Sequence, residues 1–585
     1  MSKKRNPALN VKRKNRRKVI KVIGQIILLA VAAVILVNAV FDLQTYQEPD
    51  KSKWRQDEGF IALSYFGVGR SGTSKLVSQD QLDAQLKALY DQGYETISQQ
   101  DVIDYYEKGG PLPDKALFLS FEDGRNDSAL FAQPILEKYN FKATFLSYAD
   151  KMGNSERKFL QPKDMLKMTR TGYWELGTNG YRLTYINIFD EDGRYMGVKD
   201  EKDLTDKSNV EYYNHYLMDF IRDENMIPIE DRAEMEARIG ADYAAMRDVY
   251  SNKLGYVPGA YMIMHANALG EGMNELVDKA NTEQIRQTFK MNFSREGTAM
   301  NDKQGDLYNL TRVQPAPYWS TNHLIMKLRK DSGQDMTFVT GDDKEAARWA
   351  VEGGAAEFDG SRIIVTSPPS AEGRIRLRQD PGADTTVTAN LLGNVVGRQS
   401  IYVRVDEKGD SFLRLVLENN VLRVEQKAPG QEPKELFEQT LPDVQWGEED
   451  LRFDKASVYT KEQTLSGDRD DDEEYPINIL GNRKLELTAI GDTLKISVDG
   501  QVILDGQPVD SAIRGDGVAL GSMYHEQNQK DDIYDGIFEN VTVAAIDANG
   551  GKDVRYTNKP SGLEGAVWRV RRTFDTAVNW AVETF

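Results

Sequence analysis

The stretch Lys115–Tyr148, KALFLSFEDGRNDSALFAQPILEKYNFKATFLSY, constrains the fold more than any other part of the chain. An apolar run, Ala116–Phe121, reads as a buried strand and stops at Glu122-Asp123-Gly124. Asp127 is placed to cap a helix running to about Tyr139, with Pro134 as an irregularity inside it. A second apolar run, Ala143–Tyr148, follows Asn140. Strand, acidic turn, helix and strand form the unit from which parallel sheets are built. In α/β barrels the chemistry lies at the C-terminal ends of the strands, so Glu122 and Asp123 are candidate catalytic residues, unless the pair only closes the turn.

Alternation of the same kind surrounds this unit. Phe60–Tyr65 reads as a strand, and Leu82, Leu86 and Leu89 place an apolar stripe on a helix over 79–92. Tyr94–Ile97 is a short strand, and Ser98 opens a helix carrying Val102, Ile103 and Tyr106. These elements predict a (β/α) barrel.

The run SQDQLDAQLKALYDQGYETISQQDVIDYYEKGGPLPDKALFLSFEDG resembles the polysaccharide deacetylases with a NodB-homology domain, whose equivalent strand ends in Thr-Phe-Asp-Asp-Gly. The resemblance extends from Ile61 to about Pro315 and implies an incomplete, distorted barrel. In that family the first Asp of the pair is the general base. The second Asp and two His hold a divalent metal that lowers the pKa of the attacking water from about 15.7 toward about 7. The positions that match here are Glu122 for the base and Asp123 for the metal carboxylate. The segment YWELGTNGYRL puts Asn179 and Leu183 where the family has its two histidines, and Phe66 stands where relatives usually show another. Leucine offers no donor and neutral asparagine is a poor zinc ligand. A Glu in place of the basic Asp shifts the carboxylate by about 1 Å, which can lower a rate on the order of a hundredfold. The expectation is therefore a degenerate site with Asp123 as the only matching metal-ligand position, and with no cofactor unless other residues rebuild the site around a divalent metal. Asp127, Glu175, Asn179, Arg182 and His265 join the acidic pair as candidate sugar-binding residues. His265 is either a replacement ligand or a packed rim histidine. His215, in the helix-like EYYNHYLMDF, belongs to an insertion over about 187–233 that is expected to lie across the cleft.

From about Met336 the pattern turns to strands at Ser400–Val405, Phe412–Leu417, Val421–Gln426, Lys484–Ile490, Leu494–Asp499 and Val502–Leu504. Asn419-Asn420, Gly491-Asp492 and Asp499-Gly500 read as the hairpin turns between them. This predicts a β-sandwich whose strand order resembles concanavalin-like or laminin-G-like jelly rolls. Trp446, Tyr475, Tyr524 and Tyr534 are candidates for stacking on sugar rings, or else packing residues. The acidic run 468–474 is a candidate calcium loop without the fixed spacing of one, and otherwise a solvated loop. Val567, Val570, Phe574, Val578, Ala581 and Phe585 form an apolar helical stripe.

The N-terminus sets the compartment. Residues 1–21 carry ten Lys and Arg and no acid, and Val22–Phe41 is apolar and long enough to cross a bilayer. The basic flank predicts an uncleaved anchor with a cytoplasmic N-terminus and an extracytoplasmic bulk; a signal peptide cleaved near Val37-Asn38-Ala39 is the rival. The net charge of −18 includes the ten N-terminal cations, so the remainder carries −28. That argues against a nucleic-acid partner. The absence of cysteine excludes disulfides and thiolate metal sites.

The organisation predicted is a cytoplasmic segment 1–21, an anchor 22–41, a stalk 42–58, a deacetylase-like barrel 59–318, a linker 319–335, a β-sandwich 336–548, and a linker with a C-terminal amphipathic helix 549–585. The predicted function is binding of an extracellular polysaccharide, or support of the proteins that make or export it, by a barrel without deacetylase activity. The alternative is an active carbohydrate hydrolase, either an N-deacetylase with a rebuilt site or a glycosidase, using Glu122 with Asp123 or Glu175.

Overall fold

The structure is a computed structural model that describes residues 44–560 apart from 74, 153–157, 191, 205–209, 264–268, 270–272, 393–396, 419–420, 442–482 and 526–530. The N-terminal apolar run, His265, Trp446, Tyr475, the 468–474 acidic run and the C-terminal stripe lie outside the described residues. Among the described residues no helix is long and apolar enough to cross a membrane.

Ala116–Phe121 is a strand buried along its whole length, as expected of an apolar run covered on both faces of a parallel sheet. It pairs in parallel with Phe60–Tyr65, from Ile61 opposite Leu117 to Tyr65 opposite Phe121. On its other side lies Ala143–Tyr148, and the order continues through Trp174–Gly180, Ala260–Met262, Met291–Glu296 and Leu310–Arg312. Val313 donates its N–H to the carbonyl of Ala62 and accepts from the N–H of Ser64, joining the last strand back to the first. The sheet has nine strands among the described residues: these seven parallel strands form the barrel, Glu95–Thr96 pairs in parallel beside Ala116–Phe121, and Met300–Asn301 pairs antiparallel with Phe60–Tyr65. One short bridge closes it, and irregularities at Ser147/Tyr148 and Phe293/Arg295 distort it.

Helices fill the outer layer. Gln79–Asp91 buries Leu82, Leu86 and Leu89 against the sheet, with Ser78 as its N-cap. Gln99–Lys108 opens on a reciprocal capping box between Ser98 and Asp101 and ends at Gly109 in the left-handed region. Asn126–Tyr139 runs unbroken through Pro134. Its N-cap is Arg125, which makes no side-chain capping bond, so the expected cap at Asp127 is not formed. The physical reason is the preceding turn: Asp123 and Gly124 both take positive φ, 65° and 70°, and the helix starts one residue before Asp127.

The insertion departs from expectation. The helix-like segment around His215 is a strand, Val210–His215, in a three-stranded antiparallel sheet with Thr184–Asp190 and Tyr195–Asp200. Cross-strand aromatic contacts decide this: Tyr213 packs edge-on to Tyr185 at 5.0 Å and Tyr212 to Phe189 at 6.1 Å.

The second domain is a β-sandwich of two sheets, with seven and eight strands among the described residues. Ile401, Val403, Leu413, Leu415, Leu520 and Phe538 are among the side chains of its core. The strands expected from the sequence are present, and Asp499 and Gly500 both take positive φ in a two-residue hairpin. Lys552–Thr557, within the stretch expected as a linker, adds a further strand.

The helix Thr321–Ser332 connects the two domains. Leu324, Ile325 and Leu328 belong to the barrel core, while Met326 packs with Ala355 and Ile533 of the sandwich. Next to that contact His323 is buried between two aspartates of the sandwich, Nε2 at 2.8 Å from Asp531 and Nδ1 at 3.2 Å from Asp535. Trp319 stacks on the imidazole at 4.5 Å and donates its indole N–H to Asp531.

Candidate functional site

The acidic pair stands at the C-terminal end of Ala116–Phe121, inside the barrel mouth. Gly124 is required there by close approach as well as by φ, since a Cβ would lie 2.9 Å from that of Ser147. The turn points Glu122 and Asp123 toward different cations.

Glu122 is fully buried and accepts from Arg312 Nε at 3.1 Å, on the last barrel strand. Its second carboxylate oxygen is buried without a hydrogen-bond partner. Arg312 also donates to the carbonyl of Arg295, and Glu296 lies 3.7 Å away. Burial pulls the guanidinium pKa down, but Glu122 and Glu296 outweigh it and raise it.

Asp123 meets Lys151 Nζ at 3.1 Å and Arg125 at 3.7 Å. Burial raises its pKa, and Lys151 and Arg125 oppose that without cancelling it. Lys151 bridges onward to Glu201 of the insertion at 3.2 Å, and its ammonium lies over the rings of Tyr148 at 4.7 Å and Phe159 at 4.8 Å. Burial lowers the lysine pKa, and the two carboxylates more than restore it, leaving it raised. The Tyr148 hydroxyl is buried without a hydrogen-bond partner; burial above all, then Asp123, raises its pKa well above the usual phenol range.

Asn179, on Trp174–Gly180, is brought directly beside the acidic pair. Its Oδ1 accepts from the backbone N–H of Asp123 at 3.1 Å, and its Nδ2 donates to the carbonyl of Met262 at 3.1 Å. Arg182 lies at the rim, 3.3 Å from Asp200 and 4.0 Å from Asp242, over the rings of Tyr181 and Tyr216. Two rim carboxyls, Asp150 and Asp242, are each raised to about 6, chiefly by burial.

Two other candidate residues stand apart. Asp127 is exposed on the first turn of its helix. Glu175 opens its strand four residues before Asn179, about 13 Å away at strand rise, and accepts from the backbone N–H of Gln99. Burial raises its pKa, opposed by that hydrogen bond and by Lys142. Neither reaches the acidic pair. Of the other histidines, His215 packs at 5.2 Å from Tyr185 and 5.4 Å from Tyr213, His323 sits at the domain junction, and His525 lies on the sandwich. Tyr534 is buried, its ring against Gly397, and Tyr524 is half-buried at the end of Gly517–Tyr524.

As a set for a divalent metal these residues do not fit. Zinc needs about three protein donors. Asp123 already faces an ammonium, both ends of the Asn179 amide are committed to the backbone, and Leu183 and Phe66 carry no donor atoms. Among the described residues no three His, Asp or Glu side chains converge as a metal set.

Sequence reasoning missed Lys151 and Arg312. Both stand just at or past strand ends of the barrel, and that placement rule was the signal available for them.

The barrel with an acidic pair at this strand end agrees with the resemblance to polysaccharide deacetylases, and the curated proteins to which the chain is similar carry deacetylase names. The chain is 28% identical over 129 residues to the Bacillus subtilis (strain 168) protein YxkH, which bears the name of a polysaccharide deacetylase. It is 26% identical over 153 residues to a poly-beta-1,6-N-acetyl-D-glucosamine N-deacetylase of Staphylococcus aureus (strain MSSA476). These matches cover 22% and 23% of this chain, and the chain spans about half the length of the curated relatives it matches, 45% and 52%. Among solved structures, the Streptococcus pyogenes deacetylase PplD in complex with acetate overlaps 47% of this chain and 99% of its own, with a TM-score of 0.32 and 17% identity. No protein-family profile matches the chain.

Proposed function

We propose that this chain is a membrane-anchored, extracytoplasmic polysaccharide-binding protein whose deacetylase-type barrel has lost the metal-dependent chemistry of its relatives. The observation that carries this reading is Asn179. It occupies a position where the resemblance places a metal histidine, and it serves as a fixed bridge between the backbones of Asp123 and Met262. The pairing of Glu122 with buried Arg312 supports the same reading, because one of its carboxylate oxygens is already engaged by the guanidinium. The mouth keeps Arg182, Asp150, Asp200 and Asp242 beside Tyr181 and Tyr216, polar groups next to ring faces that suit a hydroxyl-rich polymer. The relative named for poly-beta-1,6-N-acetyl-D-glucosamine makes acetylated aminosugar polymers the first ligands to examine. The anchor rests on the sequence of residues 1–41 alone. Protease added to intact cells should degrade the barrel and spare an N-terminal tag.

The test of binding is equilibrium titration of the purified chain with soluble acetylated and partly deacetylated glucosamine oligomers. Saturable binding weakened at least about tenfold by Arg182→Ala is expected. No saturable binding to either oligomer would remove the polymer-binding reading.

A further inference from the structure

We propose that the ammonium of Lys151 is the resident cation of the barrel mouth: it holds the place beside Asp123 that a divalent metal would otherwise take, and it fastens the insertion across the strand ends through Glu201. This rests on the reading of the barrel as a site without a catalytic metal, and it makes no use of polymer binding.

The starting point is Asp123, whose side chain is 9% exposed and whose backbone is held by Asn179. A buried carboxylate needs a counter-charge within contact distance. The chain supplies it from a residue three positions past the end of the Ala143–Tyr148 strand. Lys151 is itself 12% exposed, and its surroundings account for the whole ammonium: Asp123 at 3.1 Å, Glu201 at 3.2 Å, and the faces of Tyr148 and Phe159 at 4.7 and 4.8 Å. Arg125, 3.7 Å from the other Asp123 oxygen, completes the neutralisation.

A zinc ion on an Asp oxygen sits at about 2.0–2.2 Å. An ammonium 3.1 Å from the same carboxylate opposes that ion both sterically and by charge. The substitution is also chemically one-way. An ammonium neutralises the carboxylate and donates hydrogen bonds, but it has no open coordination position on which water could be acidified. What it gains is a tether. Glu201 follows the Tyr195–Asp200 strand of the insertion, and Arg182–Asp200 forms a second clasp one residue away.

The test uses the purified full chain after chelator treatment, titrated with Mn²⁺ and with Zn²⁺ alone. The wild type is expected to take up no stoichiometric ion at up to about 100 μM, and its melting temperature to stay put in either metal. Lys151→Met should melt about 5–10 °C lower, since one partner of a buried pair is gone. Millimolar Mn²⁺ should return several degrees of that loss, because the cation between Asp123 and Glu201 is then gone. Glu201→Gln, at a half-exposed position that the fold tolerates, should keep the metal-blind behaviour and speed proteolysis within 187–233 several-fold. One equivalent of metal bound at micromolar Kd by the wild type overturns the proposal, as does a Lys151→Met protein that melts like the wild type. Unchanged proteolysis of Glu201→Gln overturns the fastening. A chain that binds no polymer yet behaves this way toward metals sinks the polymer-binding reading alone, whereas polymer binding with a stoichiometric metal sinks this inference and the metal-free reading it rests on, and leaves polymer binding standing.

Discussion

Arg312 shows how little of this site is local. Its guanidinium reaches Glu122 across 190 positions of sequence, and Lys151 reaches Asp123 across 28. The acidic pair was legible because it interrupts an apolar strand, and Asn179, Leu183 and Phe66 were legible as departures from a known pattern. The cations were not, because ion pairing at a barrel mouth is decided by which strand ends closure brings together. Glu175 failed for a related reason: a glutamate on the right strand lies at its opening rather than its end. The Glu122–Arg312 pair is buried on both sides, so removing one partner leaves an uncompensated charge. Arg312→Ala should cost about 3–5 kcal/mol of stability, and Glu122→Gln less, because its carbonyl still accepts and Glu296 stays near the guanidinium. Chemical denaturation measures both. An Arg312→Ala midpoint within error of the wild type would mean that the pair does not hold the mouth together.

Among the elements, the strands were the most legible. Ala116–Phe121 and Ala143–Tyr148 have the bounds that their apolar runs predict. The segment at His215 was misread because its apolar residues suit two periods, and tertiary aromatic pairing chose the strand. The helix Thr321–Ser332 falls in the stretch expected as a linker, and its role as a junction was not legible. Its His323 is pulled down by burial, yet Asp531 and Asp535 raise its pKa to about 10. Asp535 is lowered: burial pushes it up, and His323, Thr366 and Ser320 outweigh that. The signs follow from linkage. The stabilisation from His323 is fully present below its unfolded pKa of about 6.5 and is lost as pH rises toward about 10. That from Asp535 is present above about pH 3.9 and is lost as pH falls through its lower folded value. The stability advantage of the wild type over His323→Gln should therefore shrink by a few kcal/mol, in order of magnitude, between pH 6.5 and 10. Denaturant titrations of both proteins across that range test this, and a difference flat with pH would show that the imidazole is not the charged partner.

At the scale of the whole molecule, a barrel followed by a sandwich was predicted from strand cadence and is what the chain forms. The two are joined by more than a connection: besides His323, Lys330 pairs with both oxygens of Asp532 at 2.8 Å. The junction ties the barrel to the sandwich through buried His323 and through Lys330. Each carboxylate of the acidic strand end faces an internal cation, Arg312 for Glu122 and Lys151 for Asp123. The central claim is that this barrel binds without deacetylating, and release of acetate tests it most directly. The purified chain should release none above the uncatalysed background from an acetylated glucosamine polymer, with or without added Zn²⁺, Co²⁺ or Ni²⁺. Metal-dependent acetate release by the natural sequence, abolished by Asp123→Ala, would contradict it.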